Sequence, residues 1–221
     1  MCGIFCTLTT KNVSVLVALA VNQEGYREIV GVAEGMKEDK ASWLDFLRYL
    51  KKRGLKDPCF VLSDNYLGLV DALTEVFAKT LWQRCMVHFY RNVWKVIPQS
   101  KIGEVSALLK AIHAQHKTQL IIQKLKAMKL AQAAKVLEKG IEDTFSFYAF
   151  PREHPIYLRT NNPLERIMKE IRRRTRVVGS FPDGHSALML ACARPRHITS
   201  SKWGQKRYLN MDKLTLLQLN S

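Results

Sequence analysis

No apolar run in this chain approaches the roughly 20 residues a helix needs to cross a bilayer. The candidate at residues 13–21 is too short and suits a buried strand. The N-terminus, Met1-Cys2-Gly3-Ile4-Phe5-Cys6, lacks the basic start and long apolar core of a secretory signal. The five cysteines (Cys2, Cys6, Cys59, Cys85 and Cys192) are scattered and odd in number. That argues against a disulfide framework and for a reducing, cytoplasmic setting. Internal repeats and low-complexity tracts are also lacking. Acidic residues are scarce, 19 Asp and Glu against 35 Lys and Arg, and no aspartate precedes Asp39. Membrane-spanning and secreted classes fall away on these absences.

What is present is positive charge, a formal +16 in a chain of 221 residues with an otherwise globular composition. Such an excess points to a polyanionic partner, nucleic acid first and an acidic membrane surface second. The length suits one sizeable domain, or one domain carrying an insertion.

Residues 12–21 and 26–33 are β-rich and flank the turn Asn22-Gln23-Glu24-Gly25, a hairpin signal. Asp39 then caps a helix in which Trp43, Phe46, Leu47 and Leu50 recur at helical spacing, closed by Gly54. The short run Cys59-Phe60-Val61-Leu62 ends in Ser63-Asp64, and a helix with Leu69, Leu73 and Val76 on one face follows. Residues 80–87 read as a further strand or strand-to-helix passage. This alternation predicts an α/β fold with a mixed sheet over residues 1–99. From residue 100 to 150 only helical periodicity remains (Ile102, Val105, Leu109, Ile112), which predicts an all-helical insertion whose lysines form a solvated face. Pro151-Arg152-Glu153-His154-Pro155 breaks that pattern and returns the chain to the core over residues 151–221. A last helix is expected from Asp183 through Leu188, Met189 and Ala193, ended by Pro195.

The most informative stretch is Arg159-Thr160-Asn161-Asn162-Pro163-Leu164-Glu165-Arg166, running into Lys169 and Arg172-Arg173-Arg174-Thr175-Arg176. Asn162 reads as an N-cap with Pro163 as the first helical residue. Leu164, Ile167, Met168 and Ile171 make a buried stripe, while Glu165, Lys169, Arg172 and Arg176 share another face. A carboxylate beside several cations suits a metal ion next to a polyphosphate backbone. The same Asn-x-x-Glu spacing is also a capping box, and an arginine run is also a solvated face.

Asp64 stands where a parallel-type strand gives way to a helix, the edge at which open α/β sheets bind ligands. Paired with Glu165, it is a candidate for divalent-metal phosphodiester chemistry. Cys85-Met86-Val87-His88 is a Cys-x-x-His pair, but zinc would need two further ligands and none stands at supporting spacing. A buried Cys85, with His88 bonding to a neighbouring loop or to the site, is the plainer use. His113, His116, His154, His185 and His197 sit singly in polar surroundings. Arg84, Arg91, Lys202, Lys206 and Arg207 extend the basic surface. Trp94, Trp203 and Tyr208 suit core packing or stacking on bases.

Together these residues resemble the Mutator-type transposases of bacterial insertion sequences, continuously from residue 20 to residue 211. The resemblance is carried by Val21-Asn22-Gln23-Glu24-Gly25-Tyr26-Arg27-Glu28, by Ser63-Asp64, by Trp82-Gln83-Arg84-Cys85-Met86-Val87-His88-Phe89-Tyr90-Arg91-Asn92, and by residues 159–182. It implies a ribonuclease-H-like core interrupted by a helical domain. It also implies an Asp, Asp, Glu triad holding two Mg²⁺ ions, DNA cleavage and strand transfer, homo-oligomers, and DNA ends and targets as partners. Asp64 matches the second Asp and Glu165 the Glu. Cys85 and His88 match a supporting signature, and Arg172 matches a basic position that contacts DNA. The candidate DNA surface is Arg159, Asn161, Asn162, Arg166, Lys169, Arg172, Arg173, Arg174 and Arg176.

The chain departs from that pattern in one chemical respect above all. The family's first catalytic Asp lies on the first core strand, upstream of the hairpin, and here no Asp occurs there. The resemblance therefore implies a truncated copy with an incomplete first strand, weakened Mg²⁺ affinity and no domain for reading element ends. Met168 replaces a usual Asn, Pro195 replaces an apolar helix residue, and the insertion is shortened near residues 116–121. The alternative function is a non-catalytic DNA-binding remnant that interferes with an intact transposase.

Overall fold

Every residue from Val15 to Val21 is buried, because this strand is covered on both faces. Val15, Val17, Leu19 and Val21 point into one apolar cluster, while Leu16 and Ala18 point into a second on the opposite side. The two-residue period of a strand sorts the run in this way. The computed structural model describes residues 2–9, 14–35, 39–115, 117–151, 153–178 and 202–213. The expected helix between Asp183 and Pro195, and residues Cys192, His185 and His197, lie outside them.

Five strands form one mixed sheet: β1 (Cys2–Thr9), β2 (Ser14–Val21), β3 (Arg27–Gly35), β4 (Phe60–Ser63) and β5 (Leu81–Arg84), in the order β3-β2-β1-β4-β5. β2 pairs antiparallel with β1 and β3, whereas β1–β4 and β4–β5 are parallel. The expected hairpin is β2–β3, with one irregularity between Ala18 and Leu19. β1 spans eight residues and pairs with β2 along its length. None of those eight residues is acidic.

Helices cover both faces. On one side lie α1 (Lys40–Lys52) and α2 (Leu67–Val76). Asp39 caps α1 as expected, its Oδ1 accepting from the Ser42 amide at 2.9 Å, and Trp43, Phe46, Leu47 and Leu50 are the buried stripe. On the other side lie α3 (Met86–Trp94), α4 (Ile102–Gln115), α5 (Thr118–Ala127), α6 (Ala131–Gly140), α7 (Pro155–Leu158) and α8 (Asn162–Val178). Among the described residues no strand occurs between 100 and 150. Val105, Leu109 and Ile112 of α4 share one apolar cluster with Phe60, Leu62 and Phe89, so the inserted helices and the sheet have a common core. The insertion's lysines, from Lys101 to Lys139, are exposed, as a solvated face requires.

Two histidines contradict the expectation of polar surroundings. His113 is buried between α3, α4 and the 3-10 turn at Glu142–Thr144. Thr144 donates its hydroxyl to the Ile141 carbonyl at 2.5 Å, so its oxygen accepts from His113 Nε2 at 3.0 Å. Nδ1 is then left to accept from Tyr90 at 2.7 Å. Burial holds the Tyr90 hydroxyl well above its usual range, in keeping with that donor role. His154 is buried too, and its Nε2 accepts from the Asn210 amide at 3.2 Å.

The segment from α9 (Lys202–Gln205) to Lys213 folds back onto the hairpin. Arg27 donates to the Trp203 carbonyl, and its guanidinium lies 3.7 Å from the Trp203 ring centre and 4.8 Å from that of Tyr208. The Tyr208 and Leu209 amides both donate to the Gly25 carbonyl, at 2.7 and 3.2 Å. Gly25 has φ +92°, and a Cβ there would collide with the Leu209 carbonyl oxygen. Trp203 and Tyr208 are thus engaged in packing.

Candidate functional site at the carboxyl ends of β4 and β5

Four segments meet beyond the carboxyl ends of the parallel strands, the position at which such sheets bind ligands. Ser63 closes β4 and pairs with Arg84 at the end of β5. Cys85 follows, donating its amide to the Ser63 carbonyl at 2.7 Å and serving as N-cap of α3. Its thiol donates to Asn161 Oδ1 at 3.1 Å, and the Met86 amide donates to the Arg159 carbonyl at 3.0 Å. The start of α8 is therefore tied directly to the end of β5. Burial raises the Cys85 thiol pKa, and the Glu165 carboxylate adds to this. The Asn161 contact and the amides at the start of α3 oppose it.

The cap of α8 differs from the expectation by one residue. Asn162 is already helical, and the Asn161 carbonyl accepts from the Leu164 and Glu165 amides, both at 3.0 Å. Asn161 therefore acts as the cap, because its side chain is fixed by buried Cys85 rather than by local sequence. Asn161 is only 1 % exposed, whereas Asn162 faces solvent. The expected stripe is buried: Leu164, Ile167, Met168 and Ile171 all lie in the core. The exposed side of α8 carries Arg166, Lys169, Arg172 and Arg173, with Arg173 also bridging to Glu170 at 3.1 Å. The side chains of Arg174 and Arg176 lie outside the described residues.

Glu165 does not close a capping box. Its Oε1 lies 3.1 Å from His88 Nε2 and 3.6 Å from Arg91 Nη1. His88 and Arg91 stand three residues apart on α3, which places them on one helix face. The buried Cys85 and the site-facing His88 thus match the plainer reading of the Cys-x-x-His pair. Asp64 is half-buried and accepts from the Asn65 amide at 2.8 Å. Arg84, 8 % exposed, has its guanidinium pKa lowered by burial, with the Asp64 and Asp143 carboxylates pulling the other way. Asp143 is correspondingly raised by burial, and Arg84 opposes the shift. Arg159 lies over the Phe147 ring at 4.8 Å.

Among the described residues no three His, Cys, Asp or Glu side chains converge as a metal site would require. Asp64 and Glu165 are hard oxygen donors of the right kind for Mg²⁺. They do not fit as a complete centre, because Glu165 faces the His88 imidazole and the Arg91 guanidinium, and among the described residues no third ligating side chain stands with it and Asp64. Sequence reasoning placed Arg91 only on a general basic surface. The signal that could have found it is the three-residue spacing from His88.

An acidic rim on a mixed sheet, beside a cationic helix, marks the class of this α/β protein. The chain belongs to the Mutator family of transposases, whose family description matches residues 7–199. It is 35% identical over 207 residues to the transposase for insertion sequence element ISRM5 of Rhizobium meliloti (strain 1021), covering 91% of this chain and 52% of that one. It is 37% identical over 212 residues to the transposase for IS1081 of Mycobacterium tuberculosis, covering 92% of this chain and 50% of the relative. With the transposase for IS256 in transposon Tn4001 of Staphylococcus aureus it shares 32% identity over 207 residues, covering 89% and 53%. The chain thus spans about half the length of these curated relatives. No described helix is long and apolar enough to cross a membrane.

Proposed function

We propose that this chain is the DNA-handling core of an insertion-sequence transposase, with Asp64 and Glu165 as its carboxylates for phosphodiester cleavage and strand transfer. The strand order, with β1, β4 and β5 parallel and β2–β3 an antiparallel hairpin, supports a ribonuclease-H-like assignment. The observation that carries the reading is the geometry of α8. Its first turn fixes Glu165 at the rim, and its next turns present Arg166, Lys169 and Arg172 to solvent.

In this reading the exposed cations of α8, with Asn162 and Arg173, hold the phosphate backbone across the rim. Asn161 and Cys85 fix the helix that carries Glu165, and His88 fixes its carboxylate. Mg²⁺ enters as the ion that a completed carboxylate set would hold, and Asp64 and Glu165 supply two of its donors. Homo-oligomers and the DNA of element ends and targets are the proposed partners, in a cytoplasmic setting.

The test is nicking or strand transfer on labelled element-end DNA with Mg²⁺ or Mn²⁺. Activity should disappear in Asp64→Asn and in Glu165→Gln. If the chain stays inert even when an N-terminal fragment bearing the first Asp of the family pattern is supplied, the catalytic reading fails. The second reading, a non-catalytic DNA-binding remnant, is favoured by the His88 and Arg91 contacts that occupy Glu165. It predicts salt-sensitive binding without cleavage.

A further inference from the structure

We propose that Arg91 is a positioning residue for Glu165, an internal counter-ion that an incoming divalent cation must displace. The inference rests on the reading of Glu165 as a functional carboxylate and goes beyond it by assigning a competitor for that group.

Both partners converge on the same oxygen. His88 Nε2 is at hydrogen-bond distance from Glu165 Oε1, while Arg91 Nη1 stands farther off at 3.6 Å and lies 3.4 Å from His88 Nε2. The imidazole is the inner member of the triangle, with its side chain 22% exposed against 50% for Arg91. Its Nδ1 is buried without a partner. A buried N–H left without an acceptor costs the full desolvation of that donor. A proton on Nε2 can be donated to Glu165. His88 is the hydrogen-bonded strut, and Arg91 supplies a permanent positive charge facing the carboxylate.

That division sets what can be exchanged. The strut is half-buried and within hydrogen-bond reach, whereas the arginine is half-exposed and beyond it, a contact of little strength in water. A divalent cation seeking Glu165 meets like charge from Arg91 at close range. It binds only by driving the arginine out toward solvent. The structural disagreement with a ready metal centre thus has a named cause.

The experiment is a titration of the full chain with Mn²⁺ alone, following free Mn²⁺ by electron paramagnetic resonance. Arg91→Gln should bind Mn²⁺ about five- to tenfold more tightly than the wild type, from removal of one charge near a divalent ion. Arg91→Lys should stay within about twofold of the wild type, and Arg91→Gln/Glu165→Gln should lose the gain. A purely structural role for Arg91 would weaken binding or leave it alone. Affinity that does not rise in Arg91→Gln overturns the proposal, as does the absence of Mn²⁺ binding in every variant. A gain in Mn²⁺ affinity without DNA cleavage would leave the counter-ion standing while removing the catalytic reading. Cleavage that needs Glu165, with no gain in Arg91→Gln, would do the reverse.

Discussion

The Cys85 thiol donates to Asn161 Oδ1 at 3.1 Å, and this contact ties the residue that begins the Glu165 helix to the end of β5. The two residues lie 76 positions apart, one at the end of β5 and the other at the start of α8. Through them the carboxylate at the rim is registered against the sheet.

Asn161→Ala should therefore destabilise the protein by about 1 kcal/mol, because it leaves a buried thiol, a weak donor, without its acceptor. Asn162→Ala, one residue along and exposed, should change stability by no more than about 0.5 kcal/mol. Urea unfolding of both variants compares them. Equal losses would mean that the cap sits at Asn162 after all.

Thr144→Val keeps the shape of the side chain but removes the acceptor for His113 Nε2. The expected loss is about 1–3 kcal/mol, with Thr144→Ser close to the wild type. A thermal melt in which valine and serine behave alike would contradict the hydrogen-bond chain from Tyr90 through His113.

Gly25→Ala combines positive φ with a collision against the Leu209 carbonyl. Left-handed backbone alone costs a non-glycine residue about 1–2 kcal/mol, and the collision adds to it. The variant should loosen the folded-back segment, read out as greater exposure of Trp203 to a fluorescence quencher. Unchanged quenching would show that this segment docks without the turn.

Burial holds His154 below the usual imidazole pKa; Lys213 adds to the shift and Glu153 opposes it. The sign follows from proton uptake. A group with a depressed folded-state pKa contributes stability above its unfolded value of 6.5 and loses it as pH falls through the lowered one. Docking of the segment around Asn210 should weaken on acidification below about pH 6.5. His154→Gln should flatten that dependence in thermal melts between pH 7.5 and 5, and an identical pH profile in the two proteins would refute it.

DNA binding through α8 should fall steeply with salt. Replacing Arg166, Lys169 and Arg172 together by Ala should reduce the slope of log affinity against log salt by up to about 0.9 for each phosphate no longer neutralised. An unchanged slope would move the DNA surface elsewhere.

What the sequence made legible was local. The Asp39 cap, the Trp43-to-Leu50 stripe and the buried strand β2 are read from short-range pattern, and each formed as expected. The stripe and the cationic side of α8 were readable in the same way. The cap of α8 was misplaced by one residue because a cysteine distant in sequence chose it. His113 and His154 gave no sign of burial, since their partners Tyr90, Thr144 and Asn210 come from other segments. The contact of Arg91 with Glu165 was legible only in part: i, i+3 spacing puts Arg91 on one face with His88 but does not show what that face meets.

Arg27 and Trp203 stand 176 residues apart, yet they meet beside the turn of the hairpin. On a ribosome extending the chain at about 5–20 residues per second, the hairpin waits roughly 9–35 s for that indole to emerge. During that interval a guanidinium destined for burial is hydrated, and the β3 end of the sheet lacks its cover. A stretch synthesised late therefore finishes a corner begun much earlier.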